Sequence, residues 1–317
     1  MTEITHRSVA TNGINLHIAE AGEGPLVLLV HGFPESWYSW RHQLPALAAA
    51  GFHAVAPDVR GYGRSDAPEA IEAYSMRQMT ADMAGLVEAL GERTAVIVGH
   101  DWGAPIAWHS ALLYPERFRA VAGLSVPYTP RLPMPPTTLF RQVFANQFFY
   151  MLYFQEPGVA EAELEADVRR SLSLFLYMAS GDGGPGNFAT KPKDAKFLDG
   201  MPEPAQLPAW LTEADLGYFT GEFERTGFRG GLNRYRNMDR DWEELPQLAD
   251  ARIDQPALFI AGDRDGVIAM MPTGIETMKQ HVPNLRGVVI LPGAGHWTQQ
   301  ERPDAVNEAL IAFLKGL

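Results

Sequence analysis

The chain has 317 residues, 46% of them hydrophobic, which is material for one large domain with an inserted subdomain or for two ordinary domains. A formal net charge of -12 repels phosphate backbones and anionic lipid, which argues against nucleic acid and membrane surfaces as partners. Cysteine is absent, so disulfides and thiolate chemistry are ruled out. With no apolar run long enough to span a bilayer and no leader-like pattern in MTEITHRSVATNG, the expected location is the cytoplasm.

INLHIAEAG alternates apolar and polar residues and predicts a half-exposed antiparallel strand. PLVLLVHG, HAVAPDVRG, TAVIVGHD and RAVAGLSVP follow as short continuous apolar runs closed by Gly, Pro or Asp, the pattern of strands buried on both faces of a parallel sheet. Helical periods lie between them, as in RQMTADMAGLVEALG, which stops at Gly91. This alternation predicts an α/β sheet with helices on both sides. Between about Tyr128 and Leu245 the alternation fails, and an aromatic, proline-containing stretch reads as helices joined by loops. Within it, FFYMLYFQEPGVAEAELEADV predicts a helix that breaks at Glu156-Pro157-Gly158 and restarts as an acidic amphipathic stretch. GDGGPGN (181–187) reads as a flexible loop and lacks the Gly-Lys-Ser/Thr of a phosphate cradle. Strands return in PALFIAGDRD and RGVVILPGAGH, and PDAVNEALIAFL closes the chain as a helix. The expected division is an α/β core, residues 1–127 and 246–317, interrupted by a helical lid, residues 128–245.

The chemistry centres on VIVGHDWGAP. It reads as a strand turning sharply into a helix, with Gly99 and Gly103 where a side chain would collide with the neighbouring elements and Pro105 in the first helical turn. Such an elbow usually presents a serine; here it presents Asp101. The helix N-terminus behind this position favours an anion. A serine needs a base to remove its proton, whereas a carboxylate attacks directly, and its natural target is a saturated carbon bearing a leaving group. The product of attack is an ester on Asp101, which leaves a histidine free to activate the water that hydrolyses it. A plain helix-capping aspartate is the bland alternative, and the partners decide against it.

In elbows of this type the acid and then the histidine follow the nucleophile along the chain. GAGHWTQQERP places His296 in a glycine-rich loop after the last strand, aimed by Gly293 and Gly295. FIAGDRDGV offers Asp265 to orient the imidazole, with Asp263 the rival that more naturally caps the turn; the other strand end, AGLSVP, supplies Ser125 and no carboxylate. Backbone N–H groups of Trp102 and Phe33 are the expected oxyanion hole, each worth about 3 kcal/mol of transition-state stabilisation. His31 and His100 read as structural, packing the two loops together.

HGFPESWYSWR, GYGRSD, GHDWGA, LYFQEPG, GFRGGLNRYRNM and GAGHWTQ together resemble the soluble epoxide hydrolases of the α/β-hydrolase fold, over nearly the whole chain from Gly22 onward. The resemblance implies a mostly parallel sheet of about eight strands with helices on both faces and an inserted helical lid. It also implies no metal or organic cofactor, and it lacks the extra amino-terminal phosphatase domain of some mammalian relatives. It assigns two lid tyrosines, Tyr150 and Tyr235, to the epoxide oxygen, with Tyr153 the rival to Tyr150. Epoxide opening generates an alkoxide, and phenols donate a proton or a hydrogen bond to it at neutral pH. Phe33, Trp102, Tyr150, Met151 and Tyr235 are expected to line an apolar pocket for a small neutral epoxide, which leaves as a vicinal diol. Detoxification, catabolism and signalling all fit that chemistry, and a homodimer stays open. Two alternatives compete. A haloalkane or haloacid dehalogenase shares the aspartate, but Phe33 stands where haloalkane dehalogenases often carry Asn, and no Arg follows Asp101 until Arg117. A non-catalytic receptor of the same fold predicts a degraded triad, yet Asp101, Asp265 and His296 all stand.

Overall fold

The computed structural model describes residues 3–183 and 191–317. Eight strands form one sheet in the order β1-β2-β4-β3-β5-β6-β7-β8. They are β1 (Thr5–Thr11), β2 (Ile14–Ala21), β3 (Leu26–Val30), β4 (His53–Pro57), β5 (Ala95–His100), β6 (Phe118–Leu124), β7 (Ala257–Gly262) and β8 (Leu285–Leu291). β1 and β2 pair antiparallel, β2 joins β4 antiparallel, and every pairing from β4 to β8 is parallel. The apolar runs read from the sequence are therefore strands, and the fold is of the α/β class with a mostly parallel sheet. The patterning explains the one strand not foreseen: five of the seven β1 residues THRSVAT are exposed at the sheet's edge, so no apolar run announces it. β2 is more buried than its alternation suggested, because β1 and β4 flank it and only Asn15 is exposed. β8, the opposite edge, is mostly half-buried rather than enclosed on both faces.

Alternate residues of the central strands feed two apolar clusters, as the two-residue side-chain period requires. Val27, Leu29, Val96, Val98, Leu258 and Ile260 pack with Leu44, Leu47, Val306 and Leu310 of the helices Gln43–Ala49 and Pro303–Lys315. Leu28, Val30, Ile97, Val121 and Phe259 pack on the other side with Met83, Leu86 and Trp108, from the helices Met76–Ala89 and Gly103–Leu113. The described part of the segment between β6 and β7 contains helices and no strand. Its Leu172, Phe197, Phe219 and Phe228 join this second cluster, so the segment shares apolar packing with the sheet. The stretch expected as a helix around Tyr150 is only one turn, Tyr150–Tyr153, and the chain becomes helical again at Val159–Leu164, past the proline. Of the expected 181–187 loop, residues 181–183 form a turn and bend, and the remainder lies outside the described residues. Among the described residues no helix is long and apolar enough to cross a membrane.

Candidate active site

Asp101 follows β5 directly, and its φ of 50° places a non-glycine residue in the left-handed region, at a cost of order 1–3 kcal/mol. The glycines around it make the turn sterically feasible. A Cβ on Gly99 would strike the carbonyl of Gly103, and a Cβ on Gly103 would strike that of Val30 in the adjoining strand. Strand, turn and the helix beginning at Gly103 are packed backbone to backbone, and the carboxylate stands out at their junction.

Its two oxygens have different partners. Oδ1 accepts the Phe33 backbone N–H at 2.7 Å, and Oδ2 lies 3.2 Å from His296 Nε2. Gly32 lets the loop come this close, since a Cβ there would overlap the Asp101 side chain. On the far side of the imidazole, Nδ1 lies 3.1 Å from each Asp265 oxygen. Asp265 is buried and also accepts the Val267 N–H at 2.8 Å, which fixes its plane. Asp263 accepts the Gly293 N–H at 2.7 Å instead, and so braces the loop ahead of the histidine. Burial by itself would push the His296 pKa down. The charge of Asp265 and the hydrogen bonds of Asp101 and Asp265 outweigh it and hold the imidazolium well above the ordinary histidine value.

Behind this triad is a polar network that the sequence did not reveal. The His296 carbonyl accepts from His100 Nε2 at 2.7 Å, from the Ser125 hydroxyl at 2.6 Å and from the Thr298 N–H at 2.9 Å. His100 Nδ1 lies 2.7 Å from Glu35 Oε2, which also accepts the Gly32 N–H at 2.8 Å, while Gln299 donates to Oε1 at 3.0 Å. Glu35 is fully buried. Burial would raise its pKa, but the charge and hydrogen bond of His100, with His31 and Ser39, bring it down to about 2. This buried Glu35–His100 contact therefore joins the end of β5, the Gly32–Phe33 loop and the loop that carries His296. A second carboxylate, Glu301, accepts from Gly181 and Gly295 at 2.9 Å each and from Trp297 at 3.0 Å. Gly295 itself passes so close to Ser180 and Gly181 that a Cβ would collide. His31 is structural in a narrower sense than expected: its Nε2 accepts the Val59 N–H and its Nδ1 lies 2.9 Å from the Gly32 carbonyl, tying its own loop to the one after β4.

The helical segment adds the two tyrosines. Tyr235 is buried on the helix Arg229–Arg236, edge-on to Phe33 at 5.6 Å and to Trp102 at 5.0 Å between centroids. The Tyr150 ring lies 6.1 Å from that of Tyr235. Burial, reinforced by the charge of Asp101, pushes both phenols above their ordinary pKa, so both keep their protons and can donate. Tyr153 points elsewhere, its hydroxyl donating to Glu163 at 2.8 Å. Met151 is half-buried against the same apolar cluster, next in sequence to Tyr150. Trp102 occupies the N-cap position of the helix behind the nucleophile, and its ring meets Tyr235. Among the described residues no group of histidines and carboxylates is arranged to hold a metal ion.

The α/β hydrolase fold family model matches residues 25–303. Epoxide hydrolase A of Mycobacterium tuberculosis is 50% identical over 99% of this chain and 98% of its own length. Bifunctional epoxide hydrolase 2 of Rattus norvegicus is 41% identical over 99% of this chain, which spans 56% of that longer protein. Among solved structures, an epoxide hydrolase from an endophytic Streptomyces superposes with a TM-score of 0.96 at 53% identity, covering 99% of this chain and 96% of that one.

Proposed function

The chain belongs to the epoxide hydrolases of the α/β-hydrolase fold, and on that footing we propose that it converts epoxides to vicinal diols through an ester formed on Asp101. The observation that carries the mechanism is the division of labour between the two oxygens of Asp101. Oδ1 already sits on a backbone N–H donor, so it is the oxygen that becomes the ester carbonyl and later the oxyanion. Oδ2 faces the histidine and takes no backbone donor, so it is the oxygen that attacks carbon. Tyr150 and Tyr235 hydrogen-bond the departing epoxide oxygen, assistance worth roughly 10²- to 10⁴-fold.

Ester formation also prepares the second step. It neutralises Asp101, so the His296 imidazolium loses one of the two carboxylates that hold its proton. Its proton passes, by way of the tyrosine hydroxyls, to the alkoxide released by ring opening, which leaves the imidazole neutral. Still oriented by Asp265, the imidazole takes a proton from water, and the hydroxide adds to the ester carbonyl. Collapse of the tetrahedral intermediate breaks the bond to the diol oxygen, which takes the proton of the new carboxyl group and restores the Asp101 carboxylate. The oxyanion is held by the N–H groups of Phe33 and Trp102. Residues 128–245 serve as the lid, bringing both tyrosines over the nucleophile and replacing bulk water with an apolar wall that suits small neutral substrates.

Replacing His296 with Gln tests this directly. The variant should form the ester and stall, leaving added mass on the peptide that contains Asp101. Single turnover of the parent in heavy-oxygen water should label the protein before the diol. A diol that takes its heavy atom straight from water, beside an unlabelled protein, refutes the mechanism. A substrate panel scored for diol against halide release separates this activity from dehalogenation.

A further inference from the structure

We propose that Arg234 is a positioning residue for epoxide opening: its buried guanidinium, lying over the face of Trp102, holds the indole that in turn sets the Tyr235 hydroxyl. The proposal rests on the reading above, in which Tyr235 serves the epoxide oxygen.

Arg234 precedes Tyr235 on the same helix, so the two side chains leave it about 100° apart and reach different neighbours. Only 1% of Arg234 is exposed. A guanidinium out of water is costly unless it is paired and hydrogen-bonded. This one forms an ion pair with Asp241 and donates through Nη1 to the Tyr74 carbonyl, while its buried Nε has no hydrogen-bond partner. Beyond its ties to Asp241 and Tyr74, the guanidinium faces Trp102, where Cζ lies 5.0 Å from the ring centroid. That indole stands nearly perpendicular to the Tyr235 ring, at 88°. The two rings meet edge to face at 5.0 Å between centroids, so the indole is the wall against which the Tyr235 ring is seated.

The three groups thus form a chain from cation to indole to phenol. A cation over an indole face is attracted to the ring and fixes its plane, and the fixed indole holds the edge-on Tyr235 ring that packs against it. That matters because Tyr235 must present its hydroxyl to the oxygen of the opening epoxide. The other groups facing this site cannot replace the cation. Tyr235 faces Asp101, Tyr150 and Tyr62. Arg234 faces Tyr62 and Asp241, and it also acts on His109, whose pKa burial lowers to about 4 so that it is neutral. Lysine would keep the charge but lose the planar stack, and methionine would keep bulk alone.

The test uses Arg234→Met and Arg234→Lys in the full chain, with styrene oxide as probe. Single-turnover tryptophan fluorescence and mass detection of the ester follow the two steps separately. Arg234→Met should slow ester formation about tenfold, the scale of one buried cation–π contact. It should leave ester hydrolysis within about twofold of the parent; Arg234→Lys should recover only part of the loss. Parental ester formation in Arg234→Met overturns the proposal, as does an equal slowing of both steps with a lowered melting temperature, which marks a purely structural tie. Should Arg234→Met fail to fold, Arg234→Lys carries the test, and parental ester formation in that variant is equally fatal. A parent enzyme that makes diol without any ester sinks the site reading beneath the proposal. A parent that makes the ester beside an Arg234→Met that makes it as fast sinks the proposal alone.

Discussion

Replacing Gly32 with alanine inserts one methyl group between the Gly32–Phe33 loop and the Asp101 side chain. An ideal Cβ there lies 2.7 Å from the Asp101 carboxyl carbon, and closer still to Oδ1 and Cβ. Carbon atoms in contact sit roughly 3.5–4.0 Å apart, so loop or carboxylate must yield by about 1 Å. Asp101 has little room to do so, since its backbone is held in the left-handed region and the glycines on either side are packed against main chain. The loop would have to retreat, taking the Phe33 N–H away from Oδ1 and the Gly32 N–H away from Glu35. A 1 Å misplacement at a reacting centre costs about 10²-fold in rate, and overpacking of this size costs about 1–3 kcal/mol of stability. Steady-state kcat/KM with a neutral epoxide and a thermal melt measure the two effects. Turnover within threefold of the parent, in a protein that melts normally, would show that the loop's close approach does not hold the nucleophile.

Tyr150→Phe and Tyr235→Phe should each slow ester formation by roughly 10²-fold while leaving hydrolysis of a preformed ester unchanged. Tyr153→Phe should keep full activity and lose only its contact with Glu163, about 1 kcal/mol in a denaturant melt; the opposite pattern would exchange the roles of Tyr150 and Tyr153. Glu35 falls from an ordinary 4.5 to about 2 on folding, so its contribution is fully present above pH 4.5 and is lost as pH drops toward 2. The loss is about 3 kcal/mol. Denaturant melts between pH 7 and pH 2.5 should show this acid-dependent component in the parent and not in Glu35→Gln; matching acid slopes would remove Glu35 from the account.

The readable parts of this protein were those whose physics is local. Buried parallel strands must be continuously apolar, so six of the eight, β3 to β8, are visible as short runs, whereas the edge strand β1 carries no such mark. The elbow is visible because a strained strand-to-helix turn admits only glycine at Gly99 and Gly103. Separating Asp265 from Asp263 was a matter of reach: the residue further from the strand meets the imidazole, while the nearer one caps a loop. The choice of Tyr150 over Tyr153 came from motif resemblance, and helical spacing did not separate them, since both belong to a single turn.

The hydrogen bonds of Glu35, Ser125, Glu301 and Arg234 were not legible for a common reason. Each polar side chain has a partner remote in sequence: Glu35 meets His100 across 65 positions, Ser125 meets the His296 carbonyl across 171, Glu301 meets Gly181 across 120 and Arg234 meets the Tyr74 carbonyl across 160. Nothing in HGFPE marks its glutamate as one that folding encloses with an imidazole. The chain's order of residues therefore determined the architecture and singled out Asp101, Asp265 and His296 as candidates, because strand burial and backbone strain act on neighbours. Which oxygen of Asp101 faces which partner, and what holds the histidine in place, was decided only by the tertiary structure. Hydrogen bonds and buried charge depend on distances of a few ångströms between segments that sequence alone leaves far apart.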